Sequence, residues 1–74
     1  MIEDTDTARR VVQLFLNIND QMDESIRAVE RQTSADEYKR YKRAIGFVMY
    51  EVFDKIIEPL CRQHPSLKPP EMEL

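Results

Sequence analysis

Lys39-Arg40-Tyr41-Lys42-Arg43 sets four cations around an aromatic, the residue types that neutralise phosphates in a nucleic-acid contact. On a helix turning about 100° per residue, Lys39, Lys42 and Arg43 span about 100° of surface while Arg40 points away from them. The four therefore do not converge on one phosphate path. In a hairpin closing near Thr33, the acids Asp23, Glu24 and Glu30 fall roughly opposite, and pairing with them is the expected role of these cations. Nucleic-acid contact through Lys39, Arg40, Lys42 and Arg43 is the second reading.

Two groups of carboxylates come next. Asp20, Asp23 and Glu24 share one side of a first helix, and Glu51, Asp54 and Glu58 gather on a second. Facing helices can hold two metal ions between such groups, but that chemistry also uses Glu-x-x-His, and the single histidine, His64, stands near the chain end. A solvated acidic face is expected, with no metal and no cofactor. Cys61 adjoins Leu60 on an apolar arc, where a buried structural thiol is the common case. His64 precedes Pro65 just past a last helical turn, a place where imidazoles decorate a helix C-terminus. A nucleophile needs a base and an orienting group, and one terminal histidine supplies too little, so no catalytic residue is assigned.

These side chains must be carried by helices. Asp4, Thr5, Asp6 and Thr7 can all cap a helix start, and Ala8, Val11, Val12, Phe15, Ile18, Met22, Ile26 and Val29 follow at spacings of three and four. A helix over about 5–32 is predicted. Asn19 stands near the edge of this stripe, where a polar group can fix register. The break at Gln32-Thr33-Ser34 leads into Ser34-Ala35-Asp36-Glu37, a capping box in which Ser34 takes the Glu37 amide and the Glu37 carboxylate reaches back to the Ser34 amide. A second helix over about 35–63 carries Tyr38, Tyr41, Ile45, Val48, Met49, Val52, Phe53, Ile56 and Leu60 as its buried stripe. Pro59 cannot donate to the Lys55 carbonyl, so the helix either kinks there or ends near Ile57, with Pro59 then at the first position of a short terminal helix running to about Gln63. So short a connection sets the two helices antiparallel. Residues 65–74 hold Pro65, Pro69 and Pro70 and are expected to form an extended tail, with Leu67, Met72 and Leu74 able to dock in a groove.

The fold class is thus all-α, an antiparallel two-helix hairpin over residues 1–64. One glycine in 74 residues leaves little room for the turns of a sheet. Net charge is −3, with seven acids and four bases over residues 1–32 against five and six over 33–63. Such a balance does not steer the chain to nucleic acid or an anionic membrane. The acidic opening Met1-Ile2-Glu3-Asp4 is unlike an export signal, and no apolar stretch nears the roughly 20 residues of a bilayer span. A cytoplasmic protein is expected.

Two helices bury little, and one cysteine with one histidine can form neither an intrachain disulfide nor a zinc site. From Ala44 to Phe53 only Gly46 and Glu51 interrupt the apolar side chains. Gly46, Tyr50, Ile57 and Cys61 form a second arc beside the main stripe, and contiguous apolar surface of that kind marks an interface. The expected assembly is a homodimeric four-helix bundle, its interface made of Gly46, Phe47, Tyr50, Phe53, Ile57 and Cys61. The expected function is that of a small non-enzymatic adaptor, inhibitor or regulator that pairs with itself and binds another protein.

Overall fold

The computed structural model describes residues 1–68. Helix α1 spans Thr5–Gln32, α2 spans Ala35–Val52, a π turn follows at Phe53–Ile57, α3 spans Glu58–Gln63, and a 3-10 turn occupies Pro65–Leu67. The chain is an all-α helical hairpin. At about 1.5 Å per residue, the 28 residues of α1 account for nearly the whole 45 Å long axis.

Local chemistry sets the boundaries. The Asp4 carboxylate accepts from the Thr7 amide at 2.8 Å and from the Thr7 hydroxyl at 2.6 Å, which caps α1 and holds the Asp4 carboxyl below its ordinary pKa. Thr33 leaves the helix in extended backbone, its amide and hydroxyl both donating to the Val29 carbonyl. Ser34 then opens α2 by accepting from the Glu37 amide at 3.2 Å. The return half of the box differs from expectation: Glu37 accepts from the Ser34 hydroxyl at 3.1 Å instead of from the Ser34 amide.

Of the two outcomes expected at Pro59, the structure takes the second: the π turn ends at Ile57 and Pro59 stands in the first turn of the short α3, which runs to Gln63. Upstream of Pro59 the backbone widens into the π turn, in which the Glu58 amide donates five residues back to the Phe53 carbonyl. The wider turn makes room for a ring that would otherwise crowd the Lys55 carbonyl, and Pro59 enters the first turn of α3, where a missing donor costs little. The turn also absorbs one extra residue, so everything beyond it is rotated by about 100° relative to an uninterrupted α-helix.

That rotation rearranges the core. Ile57 and Cys61, expected on the outer arc, turn inward and join Ala8, Val12 and Leu60 as the buried cluster. Upstream of the rotation, the inward stripe of α2 is also narrower than expected: Val48, expected at its centre, is 52% exposed, and Phe53 lies outward. Ile2, Val11, Phe15, Leu16, Val52, Ile56 and Leu67 pack partly buried around the cluster. Pro65–Leu67 is therefore not extended tail: it turns back and places Leu67 on the core. Met72 and Leu74 lie outside the described residues.

All five buried side chains sit where the start of α1 meets the π turn and α3. Toward the connection the helices meet through half-buried residues and one polar link. Ser25 donates to the Met22 carbonyl at 2.6 Å, so at the 2.6 Å contact between the Ser25 and Tyr41 hydroxyls Tyr41 is the donor. Asn19 is half-buried, and its Oδ1 is sequestered with no hydrogen-bond partner among the described residues.

Ile57→Ala should lower stability by about 2–5 kcal/mol, because it empties a closed site. Val48→Ala should change it by no more than about 0.5 kcal/mol. Thermal melts followed by circular dichroism on dilute protein will separate the two, and similar shifts would mean that the phase beyond Phe53 is wrong.

Candidate functional site

The outward face of α2 gathers what the hairpin leaves uncovered. Tyr38, Tyr41, Ile45, Met49 and Val52 are half-buried, whereas Phe47 is 67% and Tyr50 62% exposed. Lys39, Lys42 and Arg43 join Gly46, Phe47 and Tyr50 around one open depression. Arg40 lies beside it with Asp36, Ala44 and Phe47. The structure therefore brings three of the four cations into one patch with two aromatics and sets Arg40 at its border.

The expected cross-helix ion pairs do not form. Arg40 pairs with Asp36 on its own helix at 3.1 Å, and Asp23 is taken by Arg27 at 2.8 Å. Lys42 rides over the Tyr38 ring, 5.6 Å from its centroid. Arg40 and Lys42 reach partners at i−4 on their own helix, and among the described residues no carboxylate stands within 4.0 Å of Lys39, Lys42 or Arg43. The patch is left electropositive.

Gly46 is the floor of the depression. Its φ is not positive, and a Cβ built on it would meet nothing within 4 Å. Neither backbone conformation nor packing inside the chain requires glycine there, although a mid-helix glycine costs about 0.5–1 kcal/mol relative to alanine. Of the six residues expected at an interface, Gly46, Phe47, Tyr50 and Phe53 lie on the outside, and Ile57 and Cys61 belong to the core.

The remaining groups with chemical potential are occupied locally. Lys55 bridges Asp54 at 3.2 Å and Glu51 at 4.0 Å, which raises the lysine pKa, and Arg62 holds Glu58. Among the described residues no three His, Cys, Asp or Glu side chains converge as a metal site would require. His64 does more than decorate a helix end. Its Nε2 lies 2.7 Å from the Ile2 carbonyl and donates to it, which leaves Nδ1 to accept from the Thr5 hydroxyl at 3.4 Å. The Gln63 side-chain carbonyl accepts from the Met1 ammonium at 3.1 Å and the Ile2 amide at 3.4 Å. Together these bonds strap the first residues over the end of α3. Periodicity could not reveal contacts so distant in sequence, whereas the π turn did leave a signal in the placement of Pro59 four residues after Lys55. Among the described residues no helix is long and apolar enough to cross a membrane.

Burial raises the Cys61 thiol above its ordinary value of 9.0, since a thiolate would lose its hydration there. At pH 8 the native thiol should react with iodoacetamide more slowly than in urea, and the native rate should still be rising with pH where the denatured rate has levelled off. Equal native and denatured rates would place Cys61 at the surface.

Comparison with known proteins gives no inherited role: no protein family, curated protein or solved structure matches this chain.

Proposed function

We propose that this chain is a small, non-enzymatic helical interaction protein that acts as a homodimer, with the outward face of α2 as its protein-contact surface. The reading rests on one observation: Phe47 and Tyr50 stand exposed together around Gly46, in a chain too short to leave such surface without cost. Aromatic residues with arginine beside them are the composition of an interface centre. A photo-crosslinking phenylalanine derivative in place of Phe47 should give protein adducts in cells, while the same group in place of the exposed Gln13 of α1 gives few. Equal yields at both positions, or none at Phe47, would remove the reading.

A second reading follows from the grouping of Lys39, Lys42 and Arg43 with Phe47 and Tyr50, because cations beside aromatic faces also suit single-stranded nucleic acid. It requires low-micromolar binding in a gel-shift assay that weakens steeply as salt rises. Replacing Lys39, Arg40, Lys42 and Arg43 with glutamine would then abolish the shift. We expect no such binding, and a quadruple variant whose single chain keeps its fold with little-changed stability at dilute concentration, since the ion pair lost within the chain is exposed.

A further inference from the structure

We infer that the occupant of the outward face of α2 is a second copy of this chain, packed antiparallel about a two-fold axis at Gly46 and Phe47. The inference rests on the docking role assigned to that face and names what fills it.

Arg43, Gly46, Phe47 and Tyr50 stand at i, i+3, i+4 and i+7, the four corners of the hole that receives one side chain in helix pairing. One corner is a glycine with open space above it and no role inside the chain, so the hole is deep enough for an aromatic ring. The exposed Phe47 of a second copy is a ring of that kind. An isologous two-fold then seats each Phe47 in the other copy's hole.

Charge chooses the direction. Along the helix, cations come first, at Lys39, Arg40, Lys42 and Arg43, the apolar hole follows, and the acids Glu51 and Asp54 come after it. A parallel pair would set cation on cation across the contact. An antiparallel pair centred between Gly46 and Phe47 sets Lys39 opposite the second copy's Asp54, and Arg43 opposite its Tyr50 and beside its Glu51. The cations that find no cross-helix acid inside the chain thus meet acids of the other copy, and Arg43 gains an aromatic face. Lys55 already shields Glu51 and Asp54 in the single chain, and this bridge is exposed and easily exchanged.

The test is a charge exchange within one chain, read by light scattering behind size exclusion across the micromolar range. The full wild-type chain should elute at twice its 8.8 kDa mass. Lys39→Glu with Arg43→Glu should weaken self-association by about tenfold or more, because acid then faces acid. Adding Glu51→Lys and Asp54→Lys to that variant should restore the dimer, since the pattern is again complementary when read antiparallel. Circular dichroism melts will show each variant folded, as all four positions are on the surface or half-buried. A wild-type monomer throughout overturns the inference. So does a fourfold variant that stays monomeric while folded, and so does a double variant that dimerises like the wild type, as a parallel pair with each position facing itself would. If the wild type is monomeric yet the Phe47 photo-crosslinker captures other proteins, self-pairing fails while the docking face stands; with no adducts at all, both fall.

Discussion

Pro59 brings no N–H to the helix that contains it, and the arrangement of the whole buried cluster follows from how that absence is absorbed. A break would have released α3 to pack independently, and a kink would have swung its axis. The π turn instead keeps one continuous rod and changes its phase. Ile57 and Cys61 join Leu60 against Ala8 and Val12 because the helix has slipped by one residue on reaching them. The same slip brings Ile57 and Cys61 in from the arc that Phe47 and Tyr50 leave exposed upstream of it, while Val52 already packs on the cluster. A single imino acid thereby divides the fold's interior from the uncovered apolar face of α2.

Electrostatics reinforces this division without creating it. The ion pairs Asp6 with Arg9, Asp23 with Arg27, Asp36 with Arg40 and Glu58 with Arg62 are all within one helix and exposed, so they support the helices individually and contribute little to holding them together. Association of the helices rests on the apolar cluster and on two polar devices, the Ser25–Tyr41 link and the strap from Ile2 and Met1 to His64 and Gln63. Asn19 is a cost set against these, a half-buried carbonyl oxygen left without a donor among the described residues.

Local rules made most of the hairpin legible. Asp4 and Ser34 cap the helices as their side chains dictate, and the bounds of α1 and the start of α2 fall where the sequence puts them. Phase was legible for most of α2, although the stripe drawn through Val48 was too wide, since Val48 is 52% exposed. Carrying an ideal 3.6-residue period through the π turn assigned Ile57 and Cys61 to the outer arc, because how a helix adapts upstream of a proline is decided by tertiary packing. The cations were misjudged for a related reason: a hairpin register shows which helix faces which, but not that each side chain is satisfied sooner by its own helix. The basic and aromatic composition of the patch was visible, and the empty space over Gly46 was not.

Placing the core at one end also bears on how the chain finds its fold. Ala8 and Val12 bury themselves against Ile57, Leu60 and Cys61, residues separated from them by most of the chain. The connection at Thr33 and Ser34 forms early and locally, yet closing it yields only half-buried contacts nearby. Helix formation is fast and loop closure is cheap per added residue, so neither step limits assembly by itself. The search is for the moment when both distal ends lie together with the π turn already in phase. Zipping up from the connection gains little apolar burial until its last turns, so most of the stabilisation arrives together when the two distal ends meet.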